Sequence, residues 1–494
     1  MTEVDILVVG GGINGVGIAR DAAGRGLSVC LCEQHDLASH TSSASTKLIH
    51  GGLRYLEQYE FALVGKALSE RRILLEAVPH IAWPLRFVLP HQPHLRPAWM
   101  IRLGLFLYDH LSRQRSLPGS RRISLKDGCI GAPLRKDYPV GFVYSDAWVQ
   151  DSRLVVLNAM DAQRRGASIL TRTRCIQATR GDQHWTATLA PENGAPIDVK
   201  ARALVNASGP WATQFLDEVA HAKHQHNLRL IKGSHIVVPA LFEHDHAYIF
   251  QQPDRRIVFA IPYEGKYTLI GTTDVEFHDD PSDPKISDDE LDYLCEAANR
   301  YFEKQISPAD VVWSYSGVRP LVGDEHGNAS DVTRDYHLSV DRRGALLLNV
   351  FGGKLTTFRR LGEDAMDRLA PALGSQVKAW TGKGHPLPGG ERTDIAALIE
   401  EVHQRYAFLP EATVRRLVRA YGTLTFEVLG DAGNMQALGE HFGADLYARE
   451  VDYLHRAEWA RYTEDILWRR SKLGLAFNEE QTQGLAAYLK TLSA

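Results

Sequence analysis

Three glycines and one acid near the start of the chain carry the first recognisable chemistry. Gly10, Gly12 and Gly15 stand in the order GxGxxG, and Glu33 follows at the end of the next apolar run. Gly10 allows a tight turn, Gly12 lets the backbone approach a pyrophosphate, and Gly15, with Ala19 one turn on, lets a helix pack closely on a strand. Ile13 and Asn14 open that helix, where free N–H groups and a partial positive charge favour phosphate. An acid at Glu33 suits a free ribose 2′-hydroxyl and does not separate FAD from NAD. A second stretch, Thr41, Ser42, Ser43, Ser45 and Thr46, places five hydroxyls within six residues, and Gly51-Gly52 follows just before Arg54 and Tyr55. Alone it reads as a capped loop leading into a helix; beside a dinucleotide site it reads as further cofactor contact. Two more turns have the same character. The strand ending Leu204-Val205-Asn206 runs into Ala207-Ser208-Gly209, and Leu346–Phe351 runs into Gly352-Gly353-Lys354-Leu355-Thr356-Thr357.

The elements that must position these residues follow from periodicity. Asp5–Val9, a helix over Ile13–Arg25 and Val29–Leu31 form one βαβ unit. Tyr59–Ala77 has helical spacing, and a strand at Phe142–Ser145 precedes a helix at Asp151–Arg164. Trp185–Leu189 and Val199–Leu204 read as strands of a small antiparallel insertion. Leu228–Pro239, Ala247–Gln251, Ile257–Pro262 and Tyr267–Gly271 are short alternating runs, with a hairpin turn at Tyr263–Lys266, and predict an antiparallel sheet. Ser287 and Glu290 form a capping box. Leu346–Phe351 and a helix to Leu369 return the chain to the dinucleotide-binding part. Thr381–Gly390 reads as a linker. Beyond it, Asp394–Tyr406, Glu411–Tyr421, Leu446–Leu454, Trp459–Ser471 and Glu479–Leu492 predict a separate small helical domain.

Length and composition limit what else is expected. A chain of 494 residues has room for two or three domains. A net charge of −4 gives no sign of nucleic-acid binding. Cys30, Cys32, Cys129, Cys175 and Cys295 show no metal spacing and fit a reducing compartment, so no metal is expected. Met1–Asp5 lacks the basic region of a signal peptide, and no run reaches the roughly 20 apolar residues of a membrane span. Ala98–Leu111 is strongly apolar and is followed by Arg113, Arg115, Arg121 and Arg122. It reads either as a buried helix beside a basic loop or as a membrane-surface segment with a cationic rim.

Taken together, GGGINGVGIARDAAGRG, TSSASTKLIHGGLRYLE, SDAWVQDSRLV, VNASGPW, RLIKGSHIVVP, IGTTDVE, YSGVRPL and VFGGKLTTFR resemble, in order, the motifs of the FAD-dependent glycerol-3-phosphate dehydrogenases. These lie within the wider amino-acid-oxidase-like flavoprotein superfamily, and the similarity is to their aerobic, respiratory branch. It spans roughly Asp5 to Arg359, and the helical tail also fits. Ser208 stands where relatives often carry threonine, and a small residue still permits close approach.

The resemblance implies an α/β fold with three parts: a Rossmann-type FAD-binding domain (1–80, 140–225 and 340–380), an antiparallel-sheet substrate domain (81–139 and 226–339), and a C-terminal helical domain (391–494). It implies non-covalent FAD held by Gly10, Gly12, Ile13, Asn14, Gly15, Glu33, Thr41, Ser42, Ser43, Ser45, Gly51, Gly209, Gly353, Lys354, Leu355 and Thr356. It further implies oxidation of sn-glycerol 3-phosphate to dihydroxyacetone phosphate, with electrons passed to a membrane quinone. The protein would then be cytoplasmic and peripheral, on the anionic inner face of the cell membrane; a homodimer stays open. A phosphorylated substrate needs cationic donors, which Arg54, Arg319 and Lys354 supply from three different motifs, with Tyr55 beside them. The catalytic candidates are His235 and Arg319. The high pKa of arginine makes it a poor base, which favours His235 or a water that it orients. Two other classes stay open: a flavin oxidase reducing oxygen, and a nucleotide-binding scaffold without activity.

Overall fold

The computed structural model describes residues 2–53, 60–92, 97–111, 117–224, 227–254, 256–323, 335–382 and 384–493. The elements that position the site are, in chain order, β1 (Thr2–Val9), α1 (Ile13–Gly24), β2 (Val29–Cys32), α2 (Ala98–Leu111), α3 (Asp151–Arg164), β3 (Ile197–Asn206), β4 (Leu228–Pro239), β5 (Tyr267–Gly271), β6 (Trp313–Val322), β7 (Leu346–Phe351) and α4 (Phe358–Leu369).

The first sheet has β7, β3, β1 and β2 side by side and parallel. Where they run side by side, Ile6–Val9, Val29–Cys32, Ala203–Val205 and Leu346–Leu348 are continuous apolar runs, as expected of strands covered on both faces. Register decides what happens at their ends. Val9 lies opposite both Cys32 and Asn206, and Asn206 lies opposite Asn349. The turns carrying Gly10, Glu33, Gly209 and Gly353 therefore leave the sheet at one carboxyl edge, where α/β folds bind ligands. Gly10 has φ of +112°, and a Cβ there would sit 2.5 Å from the Ala207 carbonyl oxygen. At Gly15 a Cβ would lie 1.9 Å from the Gly10 carbonyl oxygen, so the helix start touches the strand end.

The segment Val199–Leu204 corrects the expected insertion. It is the middle of β3, which pairs antiparallel with Trp185–Pro191 along Ile197–Ala201 and parallel with β1 along Val199–Asn206. A single strand thus joins the insertion to the centre of the sheet.

Among the described residues, the second sheet has ten strands and is antiparallel except where His246–Gln251 runs parallel to Ala82–His91. Here β4 is the key strand. It pairs with β5 on one side and with β6 on the other, setting His235 opposite both Gly271 and Tyr315. The capping box forms as expected, with Ser287 Oγ accepting from the Glu290 amide and Glu290 accepting from the Ser287 amide.

Three features of the C-terminal part go beyond what the sequence pattern predicts. Leu387, within the expected linker, is buried, and its amide donates to the Ala77 carbonyl at 3.1 Å. The C-terminal helices pack onto the rest of the chain, where Leu417, Val418 and Leu454 share an apolar core with Ile81, Val149 and Leu154. Trp459–Ser471 is not one helix; its regular part is a short π-helical turn, Asp465–Arg470. Among the described residues, no helix is long and apolar enough to cross a membrane.

Candidate active site

The carboxyl edge of the first sheet and the face of the second enclose a cavity of about 430 Å³. Gly10, Gly12, Ile13, Asn14, Glu33, Thr41, Ser42, Ser45, Gly209, Gly353, Lys354, Leu355 and Thr356 all line it, and so do His235 and Arg319. Arg54 and Tyr55 lie outside the described residues. Three expected contacts do not reach the cavity. Gly15 is held at the helix–strand contact. The Ser43 hydroxyl donates to the His40 carbonyl, and Ser43's own carbonyl accepts from Lys47 Nζ at 3.0 Å. The Gly51 amide donates to the Tyr108 hydroxyl at 2.8 Å, beneath the cavity wall.

At the start of α1, Gly12 has no side chain to cap the helix, and Ser42 Oγ accepts the Ile13 amide instead, at 3.0 Å. Thr41 donates to the Val318 carbonyl and Ser45 to Asp151. The hydroxyl-rich loop is thus braced by some of its hydroxyls, while Thr41, Ser42, Ser45 and Thr46 also line the cavity. Glu33 accepts the Gly11 amide at 2.6 Å and the His35 amide at 2.9 Å. Burial pushes its pKa up from the ordinary value. Each carboxylate oxygen still has a second lone pair for a ribose hydroxyl.

His235, on β4, is buried, with Nε2 2.9 Å from Thr46 Oγ1. Its ring stacks on Tyr315, with centroids 4.8 Å apart. On the other side a Cβ at Gly271 would come within 2.1 Å of the imidazole, so the ring is held between two strands. Burial pushes its pKa well below the usual histidine range, and the charges of Arg319 and Lys47 push the same way. Lys47 is itself buried in an ion pair with Asp151 at 2.8 Å, with its Nζ 5.0 Å from the centre of the Tyr315 ring. Arg319, on β6, pairs with Asp274 and donates from Nη2 to Thr272 Oγ1 at 3.0 Å. Motif reading had not anticipated this pairing, although Thr272 and Asp274 stand in the quoted IGTTDVE. Thr46 was likewise noted only as one hydroxyl of a cluster. The contact that singles it out is with a strand 189 residues away.

Two family models match the chain: "FAD dependent oxidoreductase" over residues 5–359 and "C-terminal domain of alpha-glycerophosphate oxidase" over residues 381–493. The chain is 54% identical to glycerol-3-phosphate dehydrogenase of Pseudomonas aeruginosa, over 99% of this chain and 95% of that one. It is 50% identical to the aerobic glycerol-3-phosphate dehydrogenase of Escherichia coli, over 99% and 98%. The chain belongs to the FAD-dependent glycerol-3-phosphate dehydrogenase family. Also similar, at 49% identity over 97% and 96%, is D-erythritol 1-phosphate dehydrogenase of Brucella abortus. The solved glycerol-3-phosphate dehydrogenase of Bacillus halodurans, complexed with FAD, superposes with a TM-score of 0.78 at 26% identity, covering 99% of this chain and 94% of that one.

FAD is the cofactor of this dehydrogenase family member, and the described residues suit it. A Cβ at Gly12 would meet only Ser42 Oγ, at 3.2 Å, which leaves a cradle open at the helix start. Asn14, on the cavity wall, has a buried Oδ1 without a hydrogen-bond partner among the described residues. No cluster of metal-ligating side chains occurs among the described residues.

Proposed function

We infer that this chain oxidises glycerol 3-phosphate to dihydroxyacetone phosphate and passes the electrons to a membrane quinone. The observation that supports the reading most is that His235, Arg319 and Lys354, from three distant segments, line the cavity that also holds Gly12 and Glu33. In this reading Gly10, Gly12, Ile13, Asn14 and Glu33 hold the adenosine and pyrophosphate half of the cofactor. Thr41, Ser42, Ser45, Gly209, Gly353, Leu355 and Thr356 lie along the remainder, and the antiparallel sheet carries the substrate side. FAD supplies the acceptor for the hydride of the carbinol carbon. Arg319 and Lys354, with Arg54 and Tyr55, hold the phosphate. Asp274 and Thr272 fix the Arg319 fork in one orientation before the substrate arrives. His235 takes the hydroxyl proton. Burial and the neighbouring cations keep its imidazole neutral and able to accept, and Thr46 is its hydrogen-bond partner at the cavity wall.

A quinone acceptor requires contact with the bilayer, and α2 offers it. Ile101, Leu105 and Tyr108 point into the core, while Trp99, Met100, Leu103 and Phe106 are exposed, Trp99 at 66%. The core face of this helix matches a buried helix, and its exposed apolar face supports a membrane-surface role. Arg121 and Arg122 are exposed on a nearby strand and would favour anionic lipid.

The test is the flavin spectrum under anaerobic conditions. Glycerol 3-phosphate should bleach the oxidised flavin, and a quinone analogue should restore it. Absence of bleaching would overturn the reading. The likeness to an erythritol 1-phosphate dehydrogenase supports a second reading, with a longer polyol phosphate as substrate. Faster bleaching by D-erythritol 1-phosphate would select it. Rapid oxygen consumption without a quinone would instead favour an oxidase.

A further inference from the structure

None of the described residues after Thr356 lines the cavity, yet the C-terminal region grips its wall. Two loops form that wall beyond Glu33. One follows β2 and contributes Gln34, Ala38, Ser39 and His40. The other opens the strand Thr173–Arg180 and contributes Thr173, Arg174 and Cys175. Backbone bonds join them: the Arg172 amide donates to the His35 carbonyl at 2.7 Å and the Thr173 amide to the Glu33 carbonyl at 2.7 Å.

Both loops are also tied to the π-helical turn Asp465–Arg470. Asp36, which is 1% exposed, accepts from Arg469 Nε at 2.7 Å and from Arg470 Nη2 at 2.9 Å. On the other loop, Arg172 Nη2 donates to both oxygens of Asp465, at 2.9 and 2.8 Å. Arg469 and Asp465 pair with each other and close the ring. Asp465 is fully buried and also accepts the amides of Arg461 and Tyr462, which fix its place in the turn. Charges buried this deeply hold geometry only as a set, because removal of one partner strands the other.

We propose that Arg469 and Asp465 are positioning residues for FAD. They clamp the two cavity-wall loops beside Glu33, so that cofactor affinity depends on the C-terminal region. The proposal rests on placing the adenosine half of FAD beside Glu33.

The test is titration of FAD into FAD-stripped protein, followed by flavin fluorescence. Arg469→Gln and Asp465→Asn should raise the Kd for FAD on the order of ten- to a hundredfold, the loss expected when one charged hydrogen bond is cut. Arg469→Lys keeps a charge on Asp36 without the fork and should fall between. If Arg469→Gln does not fold, the lysine variant decides. The control is Arg416→Gln, which cuts an ion pair with Glu450 of 2.8 Å elsewhere in the C-terminal helices. It should lower thermal stability and leave the Kd for FAD unchanged. Wild-type FAD affinity in Arg469→Gln, or in Arg469→Lys where that variant decides, would overturn the proposal. So would an equal loss in Arg416→Gln. Wild-type protein that binds FAD but is not reduced by glycerol 3-phosphate would end the proposed function and leave this inference standing.

Discussion

Gly233→Ala is the sharpest probe of the substrate site, because it moves a charge without removing one. Gly233 lies on β4, opposite Gly317 on β6, and a Cβ built on it would sit 1.9 Å from Arg319 Nη2. An ordinary contact is about 3.5 Å, so the guanidinium must retreat by roughly 1.5 Å and leave its place beside Thr272. The strain stays local: the same Cβ would also lie 2.7 Å from Thr272 Oγ1, so that hydroxyl must turn as the guanidinium retreats, and Gly233 is not among the glycines with positive φ. A misplacement of about 1 Å can cost on the order of a hundredfold in rate, and a lost charged contact costs about 1.5–3 kcal/mol. Gly233→Ala should therefore keep its FAD and its melting temperature while kcat/KM for glycerol 3-phosphate falls by about ten- to a hundredfold. The assay is stopped-flow bleaching of the flavin, with flavin content measured on the same sample. In an Arg319→Ala background the glycine change should add little, since only the Thr272 hydroxyl is left to displace. Full activity in Gly233→Ala, or additive losses in the double variant, would refute the placement of Arg319 at the substrate.

Three other outcomes are expected. Gly12→Val should purify without yellow colour, because a branched side chain fills the cradle at the start of α1; full flavin content would remove the pyrophosphate from that position. Trp99→Glu with Phe106→Glu should release the protein from anionic vesicles and leave dye-linked activity intact, whereas Leu105→Glu, at a position 1% exposed, should unfold it. Continued vesicle binding by the exposed-face pair would move the docking surface elsewhere. His80 is fully buried, and burial, followed by the charges of Arg153 and Arg419, pushes its pKa down to about 3. The unfolded chain protonates it below about 6.5 while the folded chain does not, so stability should fall as pH drops through that range, by up to about 1.4 kcal/mol per pH unit. Urea titrations of His80→Leu between pH 6 and 4 should show a shallower slope than wild type, and an unchanged slope would rule the linkage out.

The parts of the site that sequence revealed are the local ones. Gly10, Gly12 and Glu33 sit in one βαβ unit, so spacing alone placed them, and the Gly352-Gly353 turn was legible for the same reason. What stayed hidden depends on partners far along the chain. Arg319 and His235 meet because β6 pairs with β4 in one register, and no short-range pattern encodes that register. Ser43 and Gly51 carry the same residue types as their cavity-lining neighbours, but a 3₁₀ turn and the Tyr108 hydroxyl direct them elsewhere. Val199–Leu204 looked like an insertion strand because its antiparallel half is the more evident one in sequence. The π-helical turn at Asp465–Arg470 was read as an ordinary helix because its apolar spacing is similar over so few residues. Its charges are not a solvated surface: Asp465 and Arg470 are buried, paired with Arg172 and Asp36.

The order of strands in the first sheet bears on how the protein is made. β1 pairs with β3, which is synthesised about two hundred residues later, and β3 needs β7, which ends at Phe351. At translation rates of about 5–20 residues per second, β1 waits roughly 10–40 s for its neighbour, and the sheet completes only later still. During that interval the apolar run Ile6–Val9 has only its local partner β2, which leaves its other edge open to wrong pairing. Such long-range closure is slow. Yield in the cell should therefore depend more on chaperone supply and growth temperature than on the stability of the finished fold.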